Sequence, residues 1–175
     1  DQTDDEILNK AKELRENGKY GEAIDLLLLY AKQSPTDPNV TALLSHCYIL
    51  NDNLEQAKIY LDAAKNINPN MASVGWNAAR ILLKEKKVKE ALAIANKTYE
   101  LFPDDVEGMG VLGSCLSADG NFDESLKHLN KAIELNPNYA EALINRGLIY
   151  LNRKDKADAL PDLGKAHPVS YTHLR

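Results

Sequence analysis

The chain has 175 residues, 44% of them apolar and 27% charged, with a formal charge of −5, the balance of an ordinary globular chain. No apolar run approaches the roughly 18 residues that a membrane span needs, and the longest candidate, residues 24–31, is interrupted by Asp25. No basic stripe offsets the negative charge, so nucleic acid and anionic membrane surfaces are not expected partners.

Pro35, Pro69, Pro103 and Pro137 fall 34 residues apart, and a fixed period of this size marks stacked units of supersecondary structure. Units opening at Asp4, Pro38, Ala72, Val106 and Ala140 give the boundaries 4–37, 38–71, 72–105, 106–139 and an incomplete 140–167. In chain order, residues 4–17 form a helix with Asp4, Asp5 and Glu6 at its positive end. Gly18 ends it, and a second helix runs over 20–33; its leucines at 26–29 are expected to be covered by internal packing. Unit two opens with Asp37-Pro38, an N-cap followed by proline in the first turn. Unit three carries the only tryptophan, Trp76, and a lysine cluster over 84–89. Unit four shows the hairpin most plainly. Met109, Leu112, Gly113 and Leu116 recur at helical spacing, Gly120 permits the left-handed helix end, and Asn121 with Glu124 has the form of a capping box. Phe122, Leu126, Leu129 and Ile133 make the next stripe, which Asn136-Pro137 ends. Unit five departs from the others: Pro161 falls inside its second helix, and Arg146 and Lys156 stand where other units are mostly apolar. The basic residues Arg146, Arg153, Lys154, Lys156 and Lys165 read as a solvated helix face.

The eighth place of each unit holds Ala11, Ser45, Ala79, Gly113 or Gly147, and the twentieth holds Ala23, Ala57, Ala91, Ser125 or Ala159. Large apolar residues dominate place twenty-four, as in Leu27, Leu61, Leu129 and Leu163. This alternation resembles the tetratricopeptide repeat (TPR) over nearly the whole chain. The resemblance implies an all-α fold, a right-handed α-solenoid of stacked antiparallel helix hairpins, with residues 4–167 as a single array of five units. It also implies a non-catalytic scaffold that binds an extended peptide or partner segment along a groove lined by the first helix of each unit. Its exposed groove places correspond here to Asn9, Lys12, Arg15, His46, Ile49, Trp76, Asn77, Arg80 and Lys84, then Glu107, Ser114, Ser117, Glu141, Asn145, Leu148 and Asn152. Trp76 is the leading contact residue, because the usual core-facing tryptophan place is taken by Gly75; packing between first helices is its other reading. Asn9, Asn77 and Asn145 share place six, a sparse likeness to the asparagine ladder of O-linked N-acetylglucosamine transferases. A second reading follows, in which the repeats recruit substrate for a larger bacterial glycosyl-, sulfo- or methyltransferase. The residues that clamp a chaperone's C-terminal carboxylate in some repeat domains are not matched in any three consecutive units.

No catalytic, cofactor or metal site is visible. His46, His128 and His167 lie in different units, with no paired-histidine spacing, strained nucleophile turn or phosphate-binding glycine loop. Cys47 and Cys115 occupy a buried helix place two repeats apart, so reduced thiols and a cytoplasmic location are expected. The terminal Val169-Ser170-Tyr171-Thr172-His173-Leu174-Arg175 resembles the translation of a transposon-derived sequencing adapter. Residues 168–175 are therefore expected to be non-native, with the natural chain continuing past about His167 as in a fragment of an environmental assembly.

Overall fold

A computed structural model describes residues 3–154 and 156–166, and all the regular structure among them is helical. The helices are α1 (Asp4–Glu16), α2 (Tyr20–Ala31), α3 (Pro38–Leu50), α4 (Leu54–Ile67) and α5 (Ala72–Lys84), followed by α6 (Val88–Leu101), α7 (Val106–Ala118), α8 (Phe122–Leu135), α9 (Ala140–Asn152) and α10 (Lys156–Ala166). Residues 167–175, and with them the expected adapter-like tail, lie outside the described residues. The fold class is all-α. No helix among the described residues is long and apolar enough to cross a membrane.

Local chemistry accounts for the helix limits. Thr3 and Glu6 form a full capping box at the start of α1, while Asn121 supplies only the forward half of the box expected at α8, accepting from the Glu124 amide at 3.4 Å. Asp37 accepts from the Asn39 amide at 2.8 Å just ahead of Pro38, satisfying one of the orphan donors of a helix start. The turn inside every hairpin uses one left-handed residue at place fifteen: Gly18, Asp52, Lys86, Gly120 and Lys154, with φ between 59° and 85°. Only two of these are glycine, so hairpins two, three and five hold a side chain in a conformation that costs about 1–2 kcal/mol. Helix α2 stops at Ala31, two residues short of the expected end.

The chain forms two compact units, Asp1–Ile81 and Leu82–Arg175. In the first, α1 packs on α2, α2 on α3 and α3 on α4, with α1 also touching α3. Ala11, Leu27, Val40, Leu44 and Cys47 form one buried cluster, and Ala57, Leu61, Val74 and Ile81 belong to a second. In the second unit, α7 meets α6, α8 and α9, and α9 meets α8 and α10. Met109, Leu129, Ala132, Ala142 and Ile149 are buried there. Neither α7 nor α9 could bury its stripe as a lone hairpin, which is why stacking supplies the core.

Places eight and twenty bring paired helices into direct contact. Ser45 Oγ donates to the Ala57 carbonyl at 2.8 Å, and Ser125 Oγ donates to the Gly113 carbonyl at 2.5 Å. The same two places are bridged with the serine on opposite sides. A Cβ added at Gly113 would lie 2.5 Å from Leu129 Cδ2, and one at Gly147 would lie 2.7 Å from Leu163 Cγ. The large residue at place twenty-four thus occupies the space that glycine leaves at place eight.

Two of the late basic residues are not merely solvated. Arg146 holds Asp162 bidentately, Nε to Oδ2 at 2.6 Å and Nη2 to Oδ1 at 2.7 Å, and its Nη1 donates to Asn130 Oδ1 at 2.9 Å. Asp162 is buried, so the polar residue at Arg146 answers a buried carboxylate that sequence reading had not paired with it. Helix α10 continues through Pro161, whose ring is exposed, beside this anchor. Arg153 donates to Asp123 at 2.8 Å and lies over the Phe122 ring. Lys89 meets Asp119 at the equivalent junction one hairpin earlier, also at 2.8 Å.

Candidate peptide-binding face

In the first unit, the expected groove residues divide by burial. Asn9 and Lys12 are exposed on α1, and Arg15 is half-buried. His46, Trp76, Asn77 and Arg80 are instead buried, with Trp76 at 0% exposure. The expectation of an exposed aromatic anchor at Trp76 is therefore corrected: its side chain is enclosed by the fold, the packing alternative for that position. Asn77 is buried because its amide is committed, Nδ2 donating to the Ala42 carbonyl at 2.9 Å and Oδ1 accepting from Arg80 Nη1 at 3.1 Å. Arg15 Nη1 lies 3.2 Å from His46 Nδ1, joining α1 to α3. Burial, with the charges of Arg80 and Arg15, pushes the His46 imidazole well below its ordinary pKa.

In the second unit, Lys84 is exposed at the end of α5, while Glu107, Ser114, Ser117, Glu141 and Asn145 are half-buried. Asn145 Nδ2 donates to Ser114 Oγ at 2.5 Å and to the Glu141 carbonyl at 2.8 Å. Ser114 Oγ in turn donates to the Gly110 carbonyl at 2.9 Å. One turn along α9, Leu148 is 48% exposed. The three asparagines at place six thus differ: Asn9 faces solvent, Asn77 is consumed in packing, and Asn145 donates to Ser114 on α7 and to the Glu141 carbonyl of its own helix. Sequence reading missed Tyr139, whose ring fills the space above Gly110 and whose hydroxyl donates to Glu141 Oε2 at 2.8 Å. The available signal was a glycine in mid-helix at a place where other units carry a side chain.

Among the described residues no group of three histidine, cysteine or acidic side chains is placed to hold a metal ion. Both cysteines are buried and outside any disulfide, and burial raises the Cys47 thiol to about 11, which keeps it protonated and unreactive at neutral pH.

Comparison with known proteins agrees with this architecture. A tetratricopeptide repeat family model matches residues 14–80 and a TPR repeat model matches residues 116–154, together more than half of the chain. A UDP-N-acetylglucosamine–peptide N-acetylglucosaminyltransferase of Giardia intestinalis is 36% identical over 70 residues, 40% of this chain and 5% of that protein. Hsp70-Hsp90 organizing protein 3 of Arabidopsis thaliana is 28% identical over 110 residues, 62% of this chain and 20% of that protein. The chain thus spans a fifth or less of the length of these relatives. Among solved structures, TTC0263, a TPR protein of Thermus thermophilus, superposes with a TM-score of 0.74 at 16% identity, covering 98% of both chains. YrrB, whose structure shows a TPR protein with an unusual peptide-binding site, gives 0.52 at 22% identity over 96% of this chain and 87% of that one. From its 34-residue helical hairpins, its small-to-large packing places and these matches, the chain is a member of the tetratricopeptide repeat family.

Proposed function

We propose that this chain is a non-catalytic scaffold for protein–protein interaction, binding an extended peptide or partner segment along the first-helix faces of its hairpins. The observation that carries this reading is the exposure there of hydrogen-bonding and apolar groups, with Asn9 and Lys12 on α1 and Leu148 on α9. The names of the relatives support it, since one organises chaperones and a structural neighbour has a peptide-binding site. On this reading the five units of 4–167 serve one function in the cytoplasm, with Asn9, Lys12, Lys84, Ser114, Glu141 and Asn145 as contacts, and with buried His46, Trp76, Asn77 and Arg80 setting the shape beneath them. Selection of a random peptide library on the protein, followed by amide hydrogen exchange of the winning complex, tests it. Protection concentrated on α1, α3, α7 and α9 is the expected result, whereas protection confined to second helices refutes it.

A second reading makes the repeats the substrate-recruiting part of a larger transferase. The Giardia match favours it, because that protein is a peptide glycosyltransferase of which this chain covers only 5%. Sequencing the source gene across the codons for residues 165–168 decides: a transferase domain in frame supports this reading, and a stop after one capping helix removes it.

A further inference from the structure

Asn17 is the chain's only asparagine followed by glycine, and the pair forms the turn between α1 and α2. Asn17 caps α1 and is exposed, and Gly18 takes a left-handed φ of 76°. A side-chain amide is lost when the next residue's backbone nitrogen attacks its Cγ, and glycine, which has no Cβ, leaves that nitrogen unscreened. In the closed turn the attack is blocked twice. The ψ of Asn17 is 6°, which sets the Gly18 nitrogen syn to Asn17's own backbone nitrogen and away from its Cβ. The Gly18 N–H also donates to the Arg15 carbonyl at 3.0 Å, and the Lys19 N–H to the Leu14 carbonyl at 2.8 Å. Hydrogen bonds at an exposed turn open locally, far below the cost of unfolding the chain. Asp119-Gly120 repeats this turn in hairpin four, with ψ −2° at Asp119 and the Gly120 N–H donating to the Ser117 carbonyl at 3.0 Å. There the side chain is committed, since Lys89 Nζ holds the Asp119 carboxylate at 2.8 Å, and an ionised carboxylate is a poorer electrophile than an amide.

We propose that Asn17 is a site of self-modification by deamidation, gated by opening of the α1–α2 turn. Once the turn opens, the Gly18 nitrogen gives up its proton and bonds to Asn17 Cγ; the Cγ–Nδ2 bond breaks and ammonia leaves, closing a cyclic imide. Solvent water then adds across one of the two imide C–N bonds. Cleavage on the Cγ side gives aspartate and cleavage at the backbone carbonyl gives isoaspartate. The net change is amide plus water to carboxylate plus ammonium, with no oxidant or reductant. Either product sets a negative charge at the C-terminal end of α1, where the helix dipole disfavours it, and isoaspartate also lengthens the main chain by one carbon. Arg15, two residues earlier, joins α1 to His46 on α3, so the loosened end is the one that carries this contact.

The test incubates the full chain at mildly alkaline pH, folded and in urea, and follows each asparagine by peptide mass spectrometry with isoaspartate separated by chromatography. Asn17 is expected to convert ahead of every other asparagine in both states, and at least about tenfold more slowly in the folded chain. Asp119 is expected to stay unisomerised in the folded chain while Asn17 is consumed. Gly18→Lys places a side chain that the same turn accepts at Lys86 and Lys154, and it should remove most of the conversion in urea. The modified fraction should exchange the last-turn amides of α1 faster than the parent does. Another asparagine converting first, or a rate in urea unchanged by Gly18→Lys, would overturn the site. Equal rates in the folded chain and in urea would overturn the gating by the turn, and isomerisation of Asp119 at the pace of Asn17 would overturn the protection assigned to Lys89. Conversion in urea with none in the folded chain would overturn it as well, because the turn would then open only with the whole chain.

Discussion

Replacing Gly113 by leucine tests the close approach of α7 and α8 directly. The helices cannot part freely there, because the Ser125 hydroxyl holds the Gly113 carbonyl at 2.5 Å. Even the first added carbon would sit 2.5 Å from Leu129 Cδ2 and 2.7 Å from Cγ, and Leu129 is fully buried. Overpacking of this kind costs about 1–3 kcal/mol, and the better helix propensity of leucine over glycine returns under about 1 kcal/mol. Gly113→Leu should therefore destabilise by roughly 1–2 kcal/mol, read as a shift of the urea midpoint at unchanged slope. Leu129→Ala alone should cost about 2–5 kcal/mol through the cavity it leaves. Combined, the two changes exchange volume across one contact, so the double variant should lose less than the two single losses together by more than about 1 kcal/mol. Additive losses, or a Gly113→Leu midpoint equal to that of the parent, would refute the claim that places eight and twenty-four share one space.

Other outcomes follow from the same structure. Trp76→Ala should cost about 3–5 kcal/mol because the side chain is wholly enclosed, and a melting temperature within error of the parent would contradict that burial. Arg146→Met should destabilise by about 2–4 kcal/mol by stranding the buried Asp162 carboxylate, and adding Asp162→Leu should recover most of it; a double variant no better than Arg146→Met would refute the pairing. His46 has a folded pKa well below its ordinary value of about 6.5, so the unfolded chain binds more protons in the interval between the two. Its stabilising contribution is complete above about pH 6.5 and is lost as pH falls below it, with a slope of at most about 1.4 kcal/mol per pH unit; urea midpoints for His46→Gln, which keeps an acceptor for Arg15, should lack that slope. Lys86→Gly, at φ 65°, should raise stability by up to about 1 kcal/mol, whereas a lower melting point would show that the lysine side chain contributes more than its backbone conformation costs.

The architecture was legible because its signals are local and repeated. Each hairpin states its turn, its small places and its terminal proline again, so a weak signal in one unit is corrected by the others. What lay beyond reading were the long-range pairings made once. Nothing near Arg146 in the chain announces that Asp162, 16 residues on, is buried and needs a partner. Similarly, a place expected to be open by likeness to other repeats is enclosed here, as with Trp76. Asn77 and Asn145 stand at the same place and both donate to the preceding first helix, yet Asn77, which also accepts from Arg80 one turn on, is buried and Asn145 is only half-buried. Periodicity reports position in a repeat, while exposure depends on the neighbours that differ between repeats.

The two turn-side ion pairs of the second unit have a bearing on the order of the hairpins. Place eighteen of one hairpin meets place fourteen of the next, as Lys89 with Asp119 and as Asp123 with Arg153, so the sign alternates along the chain. Duplicating hairpin four in tandem would set Asp123 against a second Asp119. Deleting it would bring Lys89 to Arg153. Each pair has a strongly exposed partner and contributes less than about 1 kcal/mol; a tandem copy keeps both attractions and inserts one repulsive junction, whereas the deletion exchanges two attractions for one repulsion. The two junctions thereby act as an address system, a small bias toward the order in which hairpins three, four and five stand.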